Sequence, residues 1–234
     1  PFGTIFQNSL DYQLSFWLKN KLSTLPFEKQ QAIAKQFPFF NVGIVTVTSD
    51  NYILVEQRPD GVTAPLMLLN YPCGYAKKDD RTLADVINTQ CEGELGFKAM
   101  DKRGRYSHPI EHIISLGMQR ESDEWTPNYT FLMKLAIPYS EIKPTNEVKQ
   151  IRTLPADQEQ LSAAIHNNYW PTIKGDNARG KLVPNAAGML ALYIHAVAGK
   201  PPFDALMKKI ADVAKSAGYC LVVKEYTAKT NPFR

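Results

Sequence analysis

Along the first part of the chain, apolar residues recur at helical intervals. In "SLDYQLSFWLKNKL", Leu10, Leu14, Trp17 and Leu18 stand four, three and one apart, which lines one face of a helix. "LPFEKQQAIAKQF" follows, with Pro26 at a helix start and a second short amphipathic pattern. Residues 1–38 therefore predict an N-terminal helical arm. From Phe39 the period changes to that of strands. "FNVGIVTVTSDNYILVEQRP" reads as two β-rich runs around a turn at Ser49-Asp50-Asn51, and "LMLLNYP" as a third strand closed by Pro72. In "DDRTLADVINTQCEGELGF", Leu83, Val86, Ile87, Cys91, Glu94 and Leu95 repeat as a helix does, with Gly96 as its stop.

Two further strands are predicted in "EHIISLGMQ" and "NYTFLMKLAIP", separated by the polar "RESDEWTP". Another lies in "NEVKQIRTLP", with Pro155 opening the helix "ADQEQLSAAIHNN". The last third is helical. "LVPNAAGMLALYIHAVAG" starts at Pro184 and ends at Gly199, and "PPFDALMKKIADVAKSAG" sets Phe203, Leu206, Met207, Ile210 and Val213 on one face. This order is not a regular βαβ series. It predicts an α/β sandwich with a mixed sheet.

Composition narrows the class without naming a function. The chain has 234 residues, 44% of them hydrophobic, enough for a sizeable core. It holds no apolar run long enough to span a membrane, and its start lacks the order of a secretory signal. Three scattered cysteines, Cys73, Cys91 and Cys220, make neither a disulfide framework nor a zinc spacing with the four histidines. A cytoplasmic location is the expectation. The net charge of +4 suits anionic small molecules such as nucleotides, and lacks the concentrated basic stripe of a nucleic-acid binder.

The chemistry concentrates in Pro72–Phe97, where a strand end and a glycine loop lead into a helix that closes on Glu-Leu-Gly-Phe. Here the chain resembles the Nudix superfamily, whose box reads G-x5-E-x7-R-E-U-x-E-E-x-G-U, U being bulky and apolar. "YPCGYA" is similar to the family's Pro-Gly-Gly opening, with Cys73 in place of the first glycine and Gly74 as the box's opening glycine. "ELGF" matches the closing E-x-G-U. The resemblance covers residues 39–168 and implies a Nudix-like α/β/α sandwich between the helical arm and a C-terminal helical extension, 169–234, that packs on the same domain.

Such a box serves diphosphate cleavage. Mg²⁺ or Mn²⁺ offsets the phosphate charge, and carboxylates four apart on a helix hold the ion. The resemblance places Glu94 on the second glutamate of the E-E pair and Gly93 on the first. Gln90 falls on the glutamate of R-E and Thr89 on its arginine. Counted forward from Gly74, Asp80 falls on the isolated glutamate, one residue out of step, so the loop carries one insertion. Glu92 points roughly 200° away from Gln90 on an α-helix and cannot take over unless the helix is distorted.

The site predicted on this basis has Glu94 as main metal ligand, and Glu94 and Gln90 as catalytic candidates on one face of the helix. Asp80 and Glu124 are further metal candidates, and Glu121 is a catalytic candidate in the "RESDEW" loop. Arg58, Gly74, Tyr75 and Trp125 are the predicted ligand contacts. The first implied function is a Nudix-fold protein that binds a nucleoside-diphosphate-linked ligand, with hydrolysis weak or lost. A second is an active Mg²⁺- or Mn²⁺-dependent pyrophosphohydrolase of a nucleoside diphosphate derivative, such as a nucleotide sugar, using Glu94 and a loop carboxylate. A third is a non-catalytic interaction module with a protein partner or a second copy of the chain.

Overall fold

The computed structural model describes residues 25, 26, 29, 41–58, 66–77, 79, 80, 82–120, 127–145, 148, 150–171 and 178–218. The helical arm expected at 1–38 and the chain end beyond 218 fall almost wholly outside them. The described residues form a mixed seven-stranded sheet flanked by helices, the α/β architecture that the alternating periods predict.

Strands β1 (Asn41–Val47) and β2 (Tyr52–Gln57) form a hairpin over the predicted turn. β3 (Leu68–Asn70) and β7 (Gln150–Pro155) both pair with β2, while β4 (Cys73–Tyr75) pairs with β1. β5 (Ile110–Arg120) and β6 (Pro127–Leu135) are antiparallel, and β6 lies parallel to β1. The starts of β1 and β6 and the ends of β2 and β5 therefore meet at one end of the sheet. The opposite end is tied by short connections. The Thr48 carbonyl accepts from Lys134 Nζ at 2.8 Å, and Asp50 Oδ1 accepts from the Tyr139 N–H at 3.0 Å.

Alternation along the strands divides the core into two layers. Val42, Ile44, Leu54, Phe131 and Met133 point to the side covered by helix α1 (Leu83–Gln90). Val45, Val47, Ile53, Val55 and Leu132 point to the side covered by α2 (Gln158–Asn168), α3 (Pro184–Ala198) and α4 (Lys200–Ser216). Such period-2 patterning turns successive side chains to opposite faces. The C-terminal helical extension is thus the second cover of the sheet.

The helix boundaries follow local chemistry. Thr82 caps α1 through a reciprocal capping box with Asp85. α3 runs from Pro184 and stops before Gly199, whose φ of +85° ends it. One expectation is corrected: Pro155 does not open α2 but ends β7, and the Asp157 carboxylate, accepting from the Glu159 and Gln160 N–H groups, starts the helix two residues later. A short polar cap outcompetes the proline because it satisfies two of the unpaired N–H groups of the first turn.

Thr82→Ala removes the hydroxyl that accepts the Asp85 N–H and leaves the backbone half of the α1 cap in place. It is expected to lower unfolding free energy by about 1 kcal/mol, read as a shift in urea midpoint with unchanged slope.

Candidate functional site

The loop from Tyr71 to Ala76 and the helix of α1 meet edge to edge. Strand β4 hydrogen-bonds β1 along one side, in register Asn41↔Tyr75, Val42↔Gly74 and Gly43↔Cys73. Its other edge meets two side chains from the helix. The Cys73 N–H donates to Glu94 Oε2 at 3.1 Å, and Gln90 Nε2 donates to the Tyr75 carbonyl at 3.0 Å. A strand edge in a protein interior needs partners for these groups. Here Glu94 and Gln90 stand in for a neighbouring strand.

Gly74 makes this approach feasible. A Cβ at this position would overlap Gln90 Oε1 and lie 2.8 Å from its Cδ. Any larger residue would push the carboxamide away from the Tyr75 carbonyl. Gln90 and Glu94 are both buried, at 7% and 8% exposure.

The helix carrying the pair is not a plain α-helix. After α1 the chain continues as a π-helical turn, Cys91–Leu95, that ends at Gly96 with φ +79°. A π turn widens the ladder to i→i+5 and recurs at functional sites. Two side chains brace its carbonyls: the Tyr71 hydroxyl donates to the Glu94 carbonyl, and Thr145 Oγ1 donates to the Gly93 carbonyl at 2.7 Å. The helix is thus distorted at the place where a distortion would have freed Glu92. Glu92 nevertheless faces outward, 3.6 Å from Lys98, with more than half of both side chains exposed.

The remaining sequence-derived positions are placed as follows. Asp80 is buried with both carboxylate oxygens in use. Oδ2 accepts from the Lys77 N–H at 2.6 Å, and Oδ1 accepts from Thr89 Oγ1 at 2.8 Å. Asp80 and Thr89, the residues matched to the isolated glutamate and the arginine of the box, are therefore in direct contact. Arg58 follows β2 at the same end of the sheet. Its Nε is buried without a hydrogen-bond partner among the described residues. Glu121, Glu124 and Trp125 lie outside the described residues, although their flanks Arg120 and Pro127 are register partners at this end. The structure brings Gly74, Tyr75, Gln90 and Glu94 together.

Sequence reasoning missed the braces Tyr71 and Thr145. Tyr71 carried a local signal, standing directly before Pro72 at the strand end, whereas Thr145 lies 52 positions from its partner and carried none.

Cys91 takes no part in the chemistry. Burial first, and the nearby charge of Glu94 second, push its thiol far above the ordinary range. A thiol so held is not a nucleophile. Cys73 offers its backbone N–H to the site.

A Mg²⁺ ion calls for six oxygens in near-octahedral geometry, with carboxylates supplying the charge. Among the described residues no three His, Cys, Asp or Glu side chains converge to hold a metal. Gln90 brings a neutral amide whose N–H₂ is turned to the carbonyl of Tyr75, and Asp80 spends its oxygens on the loop and Thr89. The described donor set does not fit a divalent ion.

No family model matches the sequence, and no curated protein matches it. Among solved structures, a bifunctional NMN adenylyltransferase/ADP ribose pyrophosphatase from Francisella tularensis, complexed with AMP and Mn ion, gives a TM-score of 0.46 at 15% identity. That match covers 82% of this chain and 51% of the other. An ADP-ribose pyrophosphatase from Streptococcus suis gives 0.42 at 15% identity, covering 69% of this chain and 92% of its own. The Nudix domain of Shewanella oneidensis NrtR, complexed with ADP ribose, gives 0.38 at 14% identity, covering 58% and 81%. These likenesses are distant.

The Gly74–Gln90 approach is open to a double-mutant cycle. Gly74→Ala is expected to cost about 1–3 kcal/mol by leaving the Tyr75 carbonyl unpaired, and Gln90→Ala a similar amount. The double variant should cost clearly less than the sum in denaturant titrations. Strict additivity would show that the two residues do not act through one contact.

Proposed function

We propose that the chain binds a nucleoside-diphosphate-linked ligand at the β4–α1 end of the sheet, and that metal-dependent hydrolysis there is weak or lost. One observation carries this reading: the Gln90 carboxamide, locked onto the Tyr75 carbonyl beneath Gly74. In the Nudix pattern that Pro72–Phe97 resembles, this position is a carboxylate. The sequence resemblance supplies the ligand class and the observed donor set argues against the reaction.

Magnitudes favour binding over cleavage. A carboxylate about 4 Å from a divalent ion contributes an attraction of the order of 8 kcal/mol at an effective dielectric of 20, before desolvation. An amide contributes a small fraction of that. With Gln90 neutral and Gly93 lacking a side chain, Glu94 is left as the acidic residue of the helix facing β4, and it already accepts the Cys73 N–H.

The same arrangement suits an anionic ligand held without chemistry. The backbone at Gly74 is the proposed phosphate contact, on the side that the Gln90 carboxamide does not fill. Arg58 supplies a guanidinium whose Nε lacks a partner among the described residues, and guanidinium groups pair well with phosphate oxygens. Tyr75 and Trp125 complete the proposed contacts.

The experiment is a calorimetric titration of ADP-ribose and nucleotide sugars, paired with a phosphate-release screen in Mg²⁺ and Mn²⁺. Saturable binding without turnover is expected. Metal-dependent turnover that disappears in Glu94→Gln would sink this reading and establish a hydrolase. A second measurement probes the lock directly. Gln90→Glu sets a carboxylate against the Tyr75 carbonyl and should destabilise the metal-free protein by about 1–3 kcal/mol. Mn²⁺ should restore much of that loss in the variant by binding the folded state, while leaving the melting temperature of the wild type unchanged.

A further inference from the structure

Between the π turn and β5, the chain from 97 to 109 folds into a tight basic hairpin rather than a slack connector. Met100 and Tyr106 are bridged across it, the Ser107 N–H donates to the Ala99 carbonyl at 3.0 Å, and the Asp101 N–H donates to the Arg105 carbonyl at 2.9 Å. The Gly104 N–H closes the turn on the Asp101 carbonyl at 3.0 Å. Gly104 has φ +74°, the left-handed position that ends a three-residue hairpin loop. Side chains fix the hairpin to its neighbours. The Asn88 carboxamide of α1 donates to the Met100 carbonyl at 3.1 Å and accepts its N–H at 2.8 Å, and the Tyr106 hydroxyl donates to the Ile113 carbonyl of β5 at 3.0 Å.

The turn divides its charges by role. Asp101 spends its carboxylate inside: Oδ1 accepts the Arg103 and Arg105 N–H groups at 2.8 and 3.0 Å, and Oδ2 pairs with the Arg105 guanidinium at 2.7 Å. Those bonds, the Arg105 N–H first, hold the Asp101 carboxyl below its usual range. Lys102 and Arg103, at the tip, are exposed and have no partner among the described residues. Beside them stand Tyr106, 37% exposed, and Ile114, 38% exposed, two of the four large apolar side chains left exposed among the described residues. The Tyr106 hydroxyl is bonded to the carbonyl that precedes Ile114, so both lie on one stretch of the outer edge of β5.

We infer that this surface docks an acidic segment of a partner protein, its carboxylates meeting Lys102 and Arg103 and an apolar side chain resting on Tyr106 and Ile114. Charge sets the sign of the partner, because the local carboxylate is already consumed in shaping the turn. Exposed ion pairs alone hold a partner weakly. The apolar pair supplies the rest, and tyrosine is suited to it by an apolar body with a polar tip. A backbone already ordered by its own hydrogen bonds loses little freedom on docking. Two free cations fall short of the roughly six to ten phosphate contacts of a nucleic-acid binder. Register shifts between Ile110 and His112 and between Ser115 and Gly117 make the β5 edge irregular, so the partner meets side chains rather than adding a strand.

This docking surface stands apart from the β4–α1 site and does not depend on what binds there. Glu111, exposed at the start of β5, is not part of the attraction.

The test titrates the full chain, by fluorescence anisotropy at low and physiological salt, with a labelled synthetic peptide of Glu and Asp around one Phe and one Leu. Saturable binding that weakens as salt rises is expected. Lys102→Glu with Arg103→Glu should weaken it by at least about tenfold, and Tyr106→Ala by about fivefold. A control pair on α4, Lys208→Glu with Lys215→Glu, makes the same change in net charge and should leave affinity within about twofold. Glu111→Gln should bind at least as tightly as wild type. The substituted side chains at the tip are exposed, so melting temperatures should match wild type. No saturation by about 1 mM peptide overturns the surface. So does an equal loss in the α4 control, or equal affinity for a peptide whose Phe and Leu are replaced by Ser. Tighter binding of oligouridine or of phosphatidylserine vesicles than of the acidic peptide also overturns it.

Discussion

Strand β4 is three residues long and, among the described residues, pairs with β1 along one side only. The arrangement of this half of the molecule depends on how its other edge is satisfied. Two side chains, Glu94 and Gln90, supply the acceptor and the donor that a neighbouring strand would have provided. To do so the helix must lie close against the loop, which requires glycine at 74. It must also hold its last turn in a widened form, which requires the Tyr71 and Thr145 hydroxyls on the exposed carbonyls. Each part is explained by the same need to leave no backbone group of a half-buried edge unpaired.

That requirement competes with metal chemistry for the same atoms. A carboxylate engaged with a backbone N–H can still serve a cation, because it retains further lone pairs. A carboxamide turned toward a carbonyl gives its donor to the loop, and its oxygen brings no charge to a cation. Gln90 thus serves as a structural joint between helix and loop. Asp80 makes a second joint: its contact with the Thr89 hydroxyl links loop to helix.

The long periodic segments of the fold were legible in the sequence. β1, β2, β5, β6, α3 and α4 follow from alternation or helical spacing, with Pro184 and Gly199 marking boundaries to the residue. The failures have physical causes. β4 is too short to show a period, and its existence depends on β1 lying alongside. The π turn has no signature in a local pattern, because it is held open by Tyr71 and Thr145, which are distant along the chain. Pro155 was misassigned because proline suits a strand end as well as a helix start, and Asp157 decided between them. Gly74, Gln90 and Glu94 could be picked out by resemblance, but their mutual contacts could not.

Because β1 and β6 run parallel while β2 and β5 run against them, every segment argued to meet a ligand reaches the same end of the sheet. The hairpin turn at Thr48–Asn51, the Lys134 ammonium and the Tyr139 N–H tie the other end. The molecule is therefore divided like a tool into handle and bit. Loops at the working end can change length, charge or partner one at a time, as functional loops on rigid scaffolds do, while the knots that hold the strands in order lie a full strand length away.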